Sequence, residues 1–182
     1  MTAAVRNVTA EELLAMGAES RLLELYEGEL RTGSPANIRH GDIAGQIGMI
    51  LRQYVSPRKL GRVIIEGGFV LSRNPDTVLG PDVSFIQQAR VPADGLREEF
   101  FEGHPDLAVE IISPTNPKGQ LDAKMKMYLA QGTPLGWLVD PGGKTVDVYR
   151  ADGAVTRLKR GEMITGEEVI LGFSCAVGEF FS

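Results

Sequence analysis

Leu107-Ala108-Val109-Glu110-Ile111-Ile112 is the stretch on which the fold turns. Its other residues are all apolar, and a run this short and this apolar marks a strand covered on both faces. Strand alternation puts Leu107, Val109 and Ile111 on one face and Ala108, Glu110 and Ile112 on the other. Glu110 is therefore a carboxylate facing the interior. Such a group is costly to bury unless it is paired with a cation or bound to a metal. Both readings stand at this point: a buried salt bridge with a nearby Arg or Lys, or a metal ligand.

The chain around it reads as one domain over residues 1–182, with no fixed repeat, low-complexity tract or linker. Thr9, with Glu12 three residues on, fits a capping box opening a helix from Ala10 to about Met16. Leu22–Tyr26 and Glu29–Thr32 read as an N-terminal β-hairpin around Glu27-Gly28, and Gly33-Ser34-Pro35 breaks the chain. Ile43, Ile47, Ile50, Leu51 and Tyr54 form an apolar stripe at helical spacing, predicting a helix from Ile38 to Tyr54 that ends at Ser56-Pro57. Gly41, Gly45 and Gly48 weaken that helix, and close packing on a sheet is the expected compensation. Arg62–Glu66 and Phe69–Ser72 read as strands joined at Gly67-Gly68 by a hairpin or bulge.

Val83–Ile86 reads as a strand entered through Gly80-Pro81-Asp82. A helix is expected over 120–130, stopping at Gly132, then a strand over 135–139. Thr145–Arg150 and Val155–Lys159 read as an antiparallel pair around Asp152-Gly153, and Val177–Phe181 as a short helix. The order points to an α/β fold with a central mixed sheet and few helices.

Composition limits the function. Apolar residues make up 43% and charged residues 24%, an ordinary globular balance. No run approaches the roughly 20 apolar residues of a membrane span, so no membrane partner is expected. Residues 1–9 carry no apolar block of a signal peptide. One cysteine excludes a cysteine-rich metal site, and His40 and His104 are too few for a histidine-rich one. A cytoplasmic protein is expected. The net charge of −5 speaks against a large phosphate-coating surface. Residues 31–73 nevertheless hold seven basic residues against two acidic ones. That segment reads either as scattered solvated charge or as a face for a polyanion.

Asp82, read alone, is a turn aspartate of the kind Pro-Asp steps favour. Together with Glu110 it makes two strand-borne carboxylates that could hold one hard cation, magnesium or manganese. On the 120–130 helix, Leu121, Met125 and Tyr128 define the inner stripe. At about 100° per residue, Lys124 lies nearer that stripe than Lys126 does. Either lysine could equally be solvated.

These residues carry a resemblance. Leu23-Glu-Leu-Tyr-Glu-Gly-Glu-Leu30, Arg39-His40-Gly41, Pro81-Asp-Val-Ser-Phe85 and Pro105-Asp-Leu-Ala-Val-Glu-Ile-Ile-Ser-Pro114 are followed by Lys124-Met-Lys-Met-Tyr128 and Trp137-Leu-Val-Asp-Pro141. In this order, from about Leu23 to Phe181, the chain resembles the Uma-type restriction-endonuclease family of the PD-(D/E)XK nuclease superfamily. The resemblance implies a restriction-endonuclease-like fold, a mixed sheet flanked by helices, and magnesium-dependent cleavage of phosphodiester bonds. Its two acids map onto Asp82 and Glu110. Ile112 stands where the superfamily places its lysine, and in the Uma-type branch that residue maps onto Lys124.

The mechanism so implied is metal-assisted hydrolysis. Asp82, Glu110 and the main-chain carbonyl of Ile111 would hold Mg2+ or Mn2+, and Lys124 would assist the attacking water or the transition-state charge. His40, Glu66 and Glu29 are further candidates; His40 could line the site or simply pack at the helix terminus. Arg39, Arg52, Arg58, Lys59 and Arg62 are the candidate nucleic-acid contacts, with DNA the favoured polymer. A homodimer or higher homo-oligomer is expected. The competing readings are an inactive nucleic-acid or protein binding module on the same fold, an interaction protein pairing through the edge strands 145–159, and phosphate-ester chemistry on a small molecule.

Overall fold

The computed structural model describes residues 7–33 and 37–182; the leading residues and the break at Ser34-Pro35 lie outside them. Leu107–Ile111 (β8) is the strand expected, and every residue in it is buried. It sits inside a mixed six-stranded sheet in which it pairs antiparallel with Val83–Gln87 (β6) and parallel with Leu135–Asp140 (β9). Gly61–Ile65 (β3) closes one side of this sheet. Thr145–Arg150 (β10) and Val155–Lys159 (β11) close the other as the expected antiparallel pair.

Two helices cover this sheet. Ile38–Val55 (α2) starts at Asn37, whose side chain accepts from the His40 N–H at 3.0 Å. Such a cap satisfies a donor the first helical turn leaves open. Ile43, Ile47, Leu51 and Val55 of α2 pack with Leu107, Val109 and Ile111 on one face. Lys118–Ala130 (α3) is the crossover between the parallel strands β8 and β9 and lies on the opposite face. There Leu121, Met125 and Tyr128 pack with Ala108 and Leu138. The alternation expected for 107–112 is thus observed, and Glu110 faces α3.

A second, five-stranded sheet lies on the α3 side. Its order is Glu29–Thr32 (β2), Leu23–Tyr26 (β1), Thr77–Leu79 (β5), Phe69–Ser72 (β4) and Phe101–Glu102 (β7). The expected β1–β2 hairpin is present. Ala10–Ala15 (α1) opens with the expected Thr9/Glu12 capping box and packs its Ala10 and Leu13 with Leu25, Val70 and Val78. Leu25 thus faces α1, which turns Glu24 and Tyr26 the other way. Met163–Gly166 (β12) and Ile170–Ala176 (β13) form a separate two-stranded sheet, and Val177–Phe181 is a 3-10 helix. No helix among the described residues is long and apolar enough to cross a membrane.

Two expectations about glycine are corrected. Gly67-Gly68 is no hairpin, because β3 pairs with β6 in the first sheet while β4 pairs with β5 and β7 in the second. The pair carries the chain between sheets. A Cβ on Gly67 would lie 2.5 Å from Ile64 Cγ2, and one on Gly68 would lie 2.4 Å from Phe100 Cδ1. In α2 only Gly48 meets the sheet, at Ile65; Gly41 and Gly45 face open space. A second close helix–sheet approach lies at Gly136 of β9, where a Cβ would sit 2.1 Å from Met125 Sδ. Gly45→Ala should therefore raise unfolding free energy by about 0.5–1 kcal/mol. Gly136→Ala should lower it by about 1–3 kcal/mol through overpacking. Urea melts of the two variants check both signs.

Candidate active site

The register of β6 and β8 assembles the two acids. Val83 pairs with Val109 in an antiparallel ladder. The ladder ends at that pair, and Asp82, on the bend before β6, and Glu110, on β8, each follow it directly at the same end. Asp82 Oδ2 accepts from the Ile111 N–H at 2.7 Å. It also lies 3.1 Å from His40 Nε2. A carboxylate can only accept, so the His40 ring donates. The Asp82 hydrogen bond raises the His40 pKa against burial, and the Ile111 main chain and the Glu66 charge add to the effect.

Glu110 is 2% exposed. Its Oε1 accepts from Lys124 Nζ at 2.8 Å and from the Tyr128 hydroxyl at 3.0 Å. The inner stripe of α3 does bring Lys124 inward and leaves Lys126 in solvent. Burial pushes the Glu110 carboxyl up to about 8 against the pull of Lys124, with Asp82 and Glu24 adding to the rise. Burial also opposes the Lys124 charge, but Glu110 and Glu24 overcome it and hold the ammonium protonated above the usual lysine range. Burial and the Glu110 charge likewise keep the Tyr128 hydroxyl neutral.

Glu24 is the site residue that motif reading missed. Its Oε1 lies 2.7 Å from Lys124 Nζ and accepts from the Gly80 N–H at 3.0 Å. Its Oε2 accepts from the Tyr26 hydroxyl at 2.9 Å. The signal was the one that singled out Glu110: a carboxylate inside an apolar strand, Leu22-Leu23-Glu24-Leu25-Tyr26.

The other candidates separate. Glu66 is exposed beside the site, its N–H donating to the Asp82 carbonyl at 3.3 Å. Glu29 lies on exposed β2 opposite Tyr26, and no hydrogen bond or ion pair among the described residues joins it to the carboxylates. Arg39 stands beside His40 at the start of α2 and donates to the Pro141 carbonyl at 2.5 Å. Arg52 is 12 residues beyond His40 along α2, about 18 Å at 1.5 Å per residue. It is tied to the Val63 carbonyl, and Arg58 stacks on Tyr54. Arg62 pairs with Ile86, four residues past Asp82, or about 13 Å along β6. Arg52, Arg58, Lys59 and Arg62 therefore gather at the end of the sheet remote from the acids.

The donor set suits a hard cation. Every hydrogen bond to Asp82 among the described residues falls on Oδ2, and every one to Glu110 falls on Oε1. Oδ1 and Oε2 remain for a ligand, next to the Ile111 main chain. Among the described residues, no group of three or more His, Cys, Asp and Glu gathers at metal distance. A cation here would draw its remaining oxygens from main chain, water and substrate, as Mg2+ commonly does.

The raised Glu110 value sets a pH dependence. The folded chain keeps a proton that the unfolded chain loses near 4.5, so stability from the neutral carboxyl is complete below that value and lost as pH rises through about 8. In metal-free buffer, wild type should lose stability relative to Glu110→Gln between about pH 5 and pH 8. Urea midpoints across that range check it; a constant difference would mean that Glu110 stays ionised throughout.

The comparisons with known proteins come from family and fold. No curated protein matches the sequence. A crystal structure titled as a "putative nuclease belonging to DUF820", from Anabaena variabilis, superposes with a TM-score of 0.84 at 22% identity, covering 96% of this chain and 97% of that one. At that identity the likeness establishes the shared fold. The family described as "Uma2: Putative restriction endonuclease" matches residues 10–178. With the match spanning nearly all of the chain, this protein belongs to the Uma2 family.

Proposed function

We propose that this chain is a metal-dependent endonuclease that hydrolyses phosphodiester bonds of nucleic acid, with DNA the first substrate to test. The observation that carries the reading is the Asp82–Glu110 pair: two carboxylates at the same end of the β6–β8 ladder, each with one oxygen outside the hydrogen-bond network, beside a buried ammonium. Family membership supports the nuclease class.

Asp82, Glu110 and the Ile111 carbonyl would hold Mg2+ or Mn2+. When bound, the ion supplies an activated water and neutralises charge developing on phosphate. His40 and the Ile111 N–H fix Asp82 Oδ2, so that Oδ1 is presented in one orientation. Tyr128 does the same for Glu110. Lys124 places a full positive charge beside the reacting phosphate, where a low-dielectric surrounding strengthens it. Arg39 would contact the backbone near the scissile bond, and the remote basic group would contact it further along. The acidic net charge favours an inactive binding module as the competing reading.

Calorimetry with Mn2+ and plasmid nicking in the same buffer test this. Wild type should bind and nick. Asp82→Ala and Glu110→Ala should weaken Mn2+ binding by more than about 100-fold, the scale at which even outer partners of metal ligands matter, and abolish nicking. Lys124→Ala should bind Mn2+ yet lose about 10²–10³-fold in rate, as for other charge-stabilising groups. Lys126→Ala should nick like wild type. A wild type that binds no Mn2+ would leave Glu110 as a structural carboxylate and favour the binding module.

A further inference from the structure

Lys124 Nζ has three protons and three acceptors: Glu24 Oε1 at 2.7 Å, Glu110 Oε1 at 2.8 Å and the Gly80 carbonyl at 3.0 Å. The side chain is 11% exposed, and no donor is left over for water or phosphate. One acceptor must yield before Lys124 can touch a substrate. The Gly80 carbonyl is neutral and makes the longest of the three contacts. The ammonium is also drawn to the carboxylate charge of Glu24 and, once ionised, of Glu110, an attraction the carbonyl lacks. The proton directed at Gly80 is therefore the one released most readily.

Glu24 is unlike the other two acceptors. Glu110 belongs to the carboxylate pair, and Gly80 to the segment that leads into Asp82. Glu24 comes from β1, in the other sheet, and is itself fixed without help from Lys124. The Gly80 N–H holds its Oε1 at 3.0 Å, and the Tyr26 hydroxyl holds its Oε2 at 2.9 Å. Tyr26 is in turn covered by the Arg31 guanidinium, 4.1 Å from its ring centre. A carboxylate immobilised at both oxygens is a fixed point to which a flexible lysine stem can be tied.

We infer that Glu24 is a positioning residue that tethers the Lys124 ammonium beside the Asp82–Glu110 pair, keeping it in place when the ammonium N–H that donates to the Gly80 carbonyl turns to a substrate phosphate. This rests on the proposed function. Glu24 touches neither the reacting atoms nor the cation. Its contribution is to the orientation of Lys124, so its loss lowers the rate of the bound complex and not the assembly of that complex. What the tether requires is an oxygen at Oε1 that accepts from both Lys124 and Gly80. Glutamine keeps that oxygen at the same reach, whereas aspartate keeps the charge and falls one methylene short.

The test is single-turnover nicking with Mn2+, read as a maximal rate and a half-saturating protein concentration, for wild type, Glu24→Ala, Glu24→Gln and Glu24→Asp. Mn2+ calorimetry and the slow-exchanging 15N–1H signal of the Lys124 ammonium, assigned with Lys124→Arg, are measured alongside. Glu24→Ala and Glu24→Asp should lose about 10–100-fold in maximal rate. Half-saturation and Mn2+ affinity should stay within about threefold, the ammonium signal should vanish, and Glu24→Gln should recover both rate and signal. Recovery by Glu24→Asp and not by Glu24→Gln would make Glu24 a source of field alone and overturn the tether. So would a wild-type rate or an unchanged ammonium signal in Glu24→Ala, and so would a large fall in its Mn2+ affinity, which would make Glu24 a ligand. A wild type that neither binds Mn2+ nor nicks would overturn the proposed function and the tether with it, an outcome distinct from a failure of Glu24 alone.

Discussion

A carboxylate on a strand covered on both faces needs a cation to answer it, and the geometry around Glu110 follows from that need. β8 is central in its sheet, so Glu110 cannot escape to water. The crossover α3 must pack on the face to which Glu110 points, because it joins two parallel neighbours, β8 and β9. Lys124 and Tyr128, one helical turn apart, then reach the same oxygen. Burying an ion pair gains little by itself, and breaking one is expensive. The local excess of carboxylates makes the balance less favourable still. Glu24, Glu110 and Asp82 surround one ammonium and one histidine ring. Three ionised carboxylates there would be an excess of negative charge, and the free protein relieves it by keeping a proton on Glu110.

The main sheet and its helices were legible because their residues repeat. Residues 107–112 are apolar on both faces, the α2 stripe recurs at helical spacing, and Leu121, Met125 and Tyr128 point one way. The second sheet was only half visible. Thr77–Leu79 and Phe101–Glu102 are too short to show any period, and they become strands because β4 offers them edges. β12 and β13 pair through a register shift at Thr165/Gly166, which breaks the alternation a reader would count.

Glycine was the ambiguous letter. Gly67-Gly68 reads equally as a turn and as a place where backbone must pass close to a side chain, and only the packing of Ile64 and Phe100 decides between them. Gly136 carried no sequence signal at all, since its need arises from Met125, eleven residues earlier on another element. At the site, Asp82, Glu110 and Lys124 were legible because each breaks a local rule or sits on a definable face. Glu24 broke the same rule as Glu110, a charge inside an apolar strand, but its strand lies at the margin of the fold. Its partner is one hundred residues away in sequence, and a hairpin strand can also turn such a carboxylate to solvent.

The position of the lysine shows what the site requires of the chain. Residue 112 lies two beyond Glu110 and therefore on the same face. A lysine there would send its ammonium along the strand toward the carboxylate. Ile112 instead packs into the apolar layer beneath α3. The ammonium arrives from Lys124, on the helix that covers that same face. Both routes meet one spatial condition, a positive charge on the α3 side of β8 within reach of Glu110. The helical route adds something the strand route lacks. A stem descending from α3 enters the space between the two sheets, where β1 presents Glu24 and the approach to Asp82 presents the Gly80 carbonyl. Moving the charge from strand to helix thereby brings the N-terminal hairpin to the Lys124 ammonium, and the second sheet contributes a partner to it as well as a cover for α3.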